Sequence, residues 1–299
     1  MIRIVLATGA LIALVVAPAV AADMNMPVKA PIMPPPPVAS WTGFYIGADI
    51  GAAWANPQTY TFSDPGNAAF NSCGPCIVPY QSETLTSGRG SGFLGGLHAG
   101  YNWQLAPTWL VGAEGDFMWT NKMDQAVTAP LLSNTPTTVS PVGPVPGSVL
   151  SFDNQTKWLA SIRGRAGFIV ADSWLLYGTG GVAWMDNQRS AVASCLPPAT
   201  PAGCVFTSGG ISSFSQDQTK TGFVVGAGAE WQIPTTHWRA RVEYLYYGFN
   251  SGTTGSGLWS AVPGGGPLPC IITPTCSSPY GFSNENVQTV RVGLSYALN

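Results

Sequence analysis

The chain has 299 residues, 45% of them apolar and only 9% charged, with a formal net charge of −2. So little charge, so evenly balanced, excludes a nucleic-acid partner, and an aromatic share of 11% argues for burial rather than disorder. The composition is also rich in glycine (36), proline (26) and tryptophan (11).

Residues 1–22, MIRIVLATGALIALVVAPAVAA, read as a cleaved signal peptide. Arg3 supplies the positive start, residues 4–16 an apolar core too short to span a bilayer, and Ala19, Ala21 and Ala22 the small residues of a cleavage site. No later stretch stays apolar for about 18 residues, so no transmembrane helix is expected. No cysteine stands at the cleavage point for lipid anchoring. Residues 23–40 include PVKAPIMPPPPVAS, which reads as a stiff periplasmic tether in polyproline II form rather than a PxxP ligand.

Alternation begins at Trp41. In WTGFYIGADIGAAWA, Thr42, Phe44, Ile46, Ala48, Ile50, Ala52 and Trp54 share one face. Gly43, Tyr45, Gly47, Asp49 and Gly51 share the other, which is the period of a strand. The same period returns over 93–103 and 109–119, joined by LAPT; over 158–168 and 174–184, joined by ADS; over 223–231 and 238–246, joined by IPTTH; and over 290–298. Three connections are tight, whereas 56–92, 122–156, 186–220 and 250–287 are long and rich in Gly, Pro, Ser, Thr and Asn. Short turns at one end and long loops at the other predict an all-β, eight-stranded antiparallel transmembrane β-barrel over 41–299, with short periplasmic turns and four long extracellular loops.

The aromatic residues set its height. Phe44 and Trp54, Phe93 and Trp103, Trp109 and Trp119, Trp158 and Phe168, and Trp174 and Trp184 stand ten residues apart. Phe223 and Trp231, and Trp238 and Tyr246, stand eight apart. Ten residues of strand rise about 33 Å, or about 25 Å along the axis at a tilt near 40°, the height of an outer-membrane apolar band. These residues predict two aromatic girdles; Trp259 alone among the tryptophans falls deep in a loop. With the aromatic face outward, no strand carries a charge on that face between its girdles. The inward face holds Asp49, Glu114, Asp116, Glu230 and Glu243 with Arg163, Arg165, Arg239, Arg241 and Arg291, joined by His98. A soluble barrel would reverse this polarity.

WTGFYIG at 41–47, GTGGVAW at 178–184 and VRVGLSYAL at 290–298 resemble the small outer-membrane β-barrel family, the OmpA-like or "porin family" outer-membrane immunogenic proteins of alphaproteobacteria. The resemblance covers the chain from its leader to its last strand, except the long loops. It implies residence in the cell outer membrane, contact with outer-membrane lipid, a part in envelope integrity, and insertion by the barrel-assembly machinery. Family members end on an aromatic residue that this machinery reads; here Leu298 and Asn299 stand in its place, with Tyr296 two residues earlier.

Catalysis finds little support. Of the two histidines, His98 points inward with no serine two residues away on its face, and His237 sits in a short turn without an adjacent serine, so no enzyme and no cofactor is expected. The inward charges read as a salt-bridge network filling a narrow lumen, since eight strands leave an interior just wide enough for side chains. The alternative is a narrow gated channel, for which Gly43, Gly47, Gly51, Gly96, Gly100, Gly222, Gly226 and Gly228 leave space. The cysteines fall in three loop pairs, Cys73 with Cys76, Cys195 with Cys204, and Cys270 with Cys276. Local disulfides in an oxidising compartment are favoured over a redox motif or a zinc site. A non-catalytic barrel follows, presenting its loops to host, ligand or phage.

Overall fold

The computed structural model describes residues 40–62, 83–131, 148–171, 173–195, 210–250, 252–261 and 277–298. The expected leader and most of the tether lie outside the described residues. So do Cys73, Cys76, Cys204, Cys270 and Cys276 and the side chain of Cys195.

Twelve strands run through the described residues: β1 (Gly43–Ala55), β2 (Thr59–Phe62), β3 (Glu83–Thr86), β4 (Gly90–Gln104), β5 (Trp109–Ala129), β6 (Ser148–Val170), β7 (Trp174–Cys195), β8 (Gly210–Gln232), β9 (Trp238–Phe249), β10 (Thr253–Ala261), β11 (Ser277–Phe282) and β12 (Glu285–Ala297). Eight of them form the barrel, in the order β8-β7-β6-β5-β4-β1-β12-β9, and pairing of β8 with β9 closes the ring. Every pairing is antiparallel, and β12 docks on β1 with Arg291 opposite Gly51 and Ser295 opposite Gly47.

At the periplasmic end the hairpins are tight. Leu105 donates its amide to the Trp109 carbonyl at 3.0 Å, and Ile233 donates to that of Trp238 at 3.0 Å. Ala171 (φ 50°) and Thr235 (φ 61°) adopt the left-handed backbone that such short reversals demand. Gly43 (φ 138°) lies where a side chain is disfavoured, and there the chain swings from the inward Trp41 into β1.

At the extracellular end the structure departs from the expected loops. β5, β6, β7 and β8 continue far past their girdle tryptophans and phenylalanine, and β2, β3, β10 and β11 add strands to the same sheet. Trp259 belongs to β10, opposite Ser212, rather than to a loop. For β5 and β6 the physical reason lies in two register shifts at the membrane rim, between Trp119 and Met123 in β5 and between Thr156 and Trp158 in β6. The extra residue moves the inward phase from Met118 to Met123 and from Leu159 to Thr156, so the alternation breaks just where the wall leaves the lipid.

The outer wall between the girdles is apolar and exposed, as with Ile50 at 67% and Ile162 at 63%. Phe44, Trp54, Trp103, Trp109, Trp119, Trp158, Trp174, Trp184, Trp231 and Trp238 all lie on that wall, with Trp158 and Trp184 half-buried. Trp119 stands opposite Trp158, and Trp174 opposite Trp231.

Candidate functional site

Among the described residues the lumen is where the chemistry is concentrated, and it is built in layers. At the periplasmic mouth Trp41 is buried against Leu110, Ile169, Leu175 and Tyr177. Its ring lies 4.6 Å beneath the Arg239 guanidinium, and its amide donates to Gln104 Oε1 at 3.1 Å. Towards the extracellular side, Met118, Leu159, Met185, Val224, Leu245, Phe249 and Val287 pack a second apolar layer.

Between the two lies the charge network. Arg163 donates to Glu114 (2.5 Å) and Glu243 (2.8 Å) and stands 3.1 Å from Asp116. Arg241 donates to Asp49 through Nε at 2.8 Å and to Glu114 at 2.7 Å. Arg291 joins Glu243 at 2.8 Å to Asp116 at 3.2 Å. Arg165 donates to Glu230 at 2.7 Å and to Asn102 Oδ1 at 2.9 Å. Tyr45 and Tyr177 close the rim, donating to Glu114 at 2.7 Å and Glu243 at 3.2 Å. Each acid thus faces at least one guanidinium, which is what burial of so many charges requires.

One sequence expectation needs correcting and another needs completing. Arg239 shares the lumen but not the network: it has no ion pair among the described residues and instead covers Trp41 and donates to the Ser40 carbonyl at 3.4 Å. His98 does find a serine. Arg239, Ser295, Gly47 and His98 stand in one row across β9, β12, β1 and β4. With no side chain at Gly47, His98 reaches over β1: Nε2 lies 2.9 Å from Ser295 Oγ, and Nδ1 lies 2.8 Å from Asp49 Oδ2. Parity along one strand could not find this partner, because only the β1–β12 closure brings Ser295 into the row. The trio has the order of a Ser-His-Asp relay, but Ser295 is wholly buried, Asp49 is also held by Arg241, and the neighbouring amides belong to the strand ladders. It lacks both an approach for substrate and free donors for an oxyanion.

The glycines expected to leave space are largely filled over. A Cβ at Gly47 would collide with His98, at Gly96 with Met118, at Gly100 with Tyr45, at Gly222 with Phe249, at Gly226 with Leu245, and at Gly228 with Tyr177.

Above the apolar layer a second polar cluster escaped sequence reading. Glu285 accepts from Asn187 at 3.0 Å and Asn154 at 3.3 Å, and lies 3.7 Å from both Arg189 and Lys220. Burial, and then the neighbouring Arg189, push the Lys220 ammonium down to about 8. Tyr60, Phe152 and Phe282 pack over this cluster, with Arg189 4.9 Å above the Phe282 ring. Among the described residues no group of three His, Cys, Asp or Glu side chains is placed to hold a metal ion.

A wall apolar outside, charged inside and closed by strand pairing is the architecture of an outer-membrane barrel. The family model for the outer membrane protein beta-barrel domain matches residues 9–297. The chain belongs to that family. It is 30% identical, over 268 residues, to the 31 kDa outer-membrane immunogenic proteins of Brucella melitensis and Brucella suis, covering 90% of this chain and 88% of each relative. Among solved structures, the outer membrane protease OmpT of Escherichia coli aligns over 85% of this chain and 97% of its own at 11% identity, with a TM-score of 0.42. The protein is thus an outer-membrane β-barrel and a homologue of outer-membrane immunogenic proteins.

Proposed function

We propose that the protein is a non-catalytic, closed-lumen component of the outer membrane that contributes to envelope integrity and presents its extracellular end to host, ligand or phage. The observation that carries this reading is the layered filling of the lumen: Trp41 below, the paired charges in the middle, and the Met118–Leu159–Leu245 layer above. A filled interior suits a wall rather than a conduit. The strands that continue past the extracellular girdle support the second half, because they carry the described wall beyond the lipid surface. Lipid is the constant partner in this reading, with the assembly machinery a partner only during insertion. Deletion of the gene should sensitise cells to detergent. A chain shortened within 63–82, 132–147, 196–209 and 262–276 should restore resistance while abolishing surface adhesion or phage uptake. Loss of envelope resistance with the shortened chain, despite normal barrel levels, would overturn the division of labour.

A further inference from the structure

The lipid-facing wall is not uniform. A groove of about 920 Å³ runs from β9 and β12 across β1, β4 and β5 on the outer face, within the roughly 300–1,000 Å³ range of ligand clefts. Its floor is Ala48, Ala99 and Gly115, and Leu97, Phe117 and Leu294 stand beside it. Ala99 faces Gly115 across the β4–β5 ladder, and Ala48 lies diagonally across β1 and β4 from Ala99, between Ile46 and Leu97. Neither backbone nor packing calls for glycine at 115: its φ is not in the left-handed range, and a Cβ there would meet only the Ser161 carbonyl, at 3.8 Å. The missing side chain keeps the floor open.

The groove also has a direction. It begins at Trp238 and Tyr296 in the periplasmic girdle and rises to Phe117, two residues short of Trp119 in the extracellular one. Its lining is almost wholly apolar along this path. At its periplasmic end the exposed turn residue His237 sets its ring 5.7 Å from that of Tyr296, at the level where lipid headgroups lie. An apolar slot that opens beside a polar imidazole at the girdle matches a phospholipid entering from the periplasmic leaflet, chain in the slot and phosphate at the ring.

We propose that this groove is a binding site for one acyl chain of a periplasmic-leaflet phospholipid, with the headgroup held at His237. The chain fills the floor left by Ala48, Ala99 and Gly115, and so completes the packing of the wall there.

The test is native mass spectrometry of the protein purified from outer membranes, delipidated in mild detergent and re-equilibrated with phosphatidylethanolamine and phosphatidylglycerol. The wild type should retain one phospholipid. Gly115→Leu, which fills the floor, should cut retention at least fivefold, and His237→Ala should cut it about threefold. Folding is followed in parallel by the heat-dependent shift of the barrel on gels. Should Gly115→Leu fail to fold, Ala48→Leu serves instead with the same expected loss. Equal retention by the wild type and the filled variants overturns the proposal, as does a wild type that retains no phospholipid. A wild-type dimer that Gly115→Leu dissociates would assign the groove to a second copy of the chain and also overturn it. So would preferential retention of added lipopolysaccharide, which occupies the other leaflet.

Discussion

Gly47 shows how one absent side chain can organise a barrel interior. His98 lies across it to touch Ser295, and a Cβ there would meet both the His98 ring and the Leu294 carbonyl. Gly47→Ala should therefore displace His98 and lower stability by about 1–3 kcal/mol, as overpacking does. Gly115→Ala, with open space around it, should change stability by less than about 0.5 kcal/mol. Urea unfolding from vesicles measures both, and equal effects would contradict the assigned packing. Lys220 gives the residue scale a pH dependence. Its folded value of about 8 lies below the ordinary 10.5, so between those values the unfolded chain binds more protons and stability rises with pH. Below pH 8 the whole cost is present, at most about 3 kcal/mol. Lys220→Met should flatten that rise and stabilise the protein at pH 7; a wild-type profile already flat between pH 8 and 10.5 would contradict it.

At the scale of the strand, the girdles separate two parts of the same wall. Ile162 lies on the outer face between the girdles, whereas Val192 lies on the outer face of β7 beyond Trp184, where the strand has left the lipid. Ile162→Arg should destabilise the barrel by about 2–4 kcal/mol, and Val192→Arg by about 0–1 kcal/mol. The ratio of folded to unfolded bands after refolding into vesicles reads the difference, and equal penalties would place the rim wrongly. The membrane-spanning strands were legible in the sequence because lipid outside and charge inside give each residue a sharp contrast with its neighbours. The extensions were not, for two reasons. In β5 and β6 the rim bulges break the phase of alternation. In β7 the phase continues through Asn187, Arg189 and Ala191, but the outer face is polar there too, so the contrast vanishes. The same loss hid Glu285, Arg189 and Lys220. Ser295 was hidden differently: its place beside His98 depends on which strands close the ring, and composition along one strand carries no trace of that.

For the molecule as a whole, the proposed closure of the lumen and its stability have one source. The lumen arginines neutralise the acids that would otherwise be stranded in a narrow interior, and they also occupy the space a solute would need. Arg291 holds both Asp116 and Glu243. Arg291→Ala should cost up to about 3–5 kcal/mol, less where water enters the vacated space, and thermal unfolding in detergent measures it. An unchanged melting temperature would mean that the two acids need no such partner. Trp41 closes the periplasmic mouth, and the Met118–Leu159–Leu245 layer closes the route above the charges. The most direct test of this closed wall is single-channel recording of the mature protein in planar bilayers. Wild-type protein should give no steady conductance at moderate voltage, with or without a Trp41→Gly substitution, because the upper apolar layer remains. A steady, open, ohmic conductance from the wild type, persisting after the extracellular segments are shortened, would contradict the closed lumen.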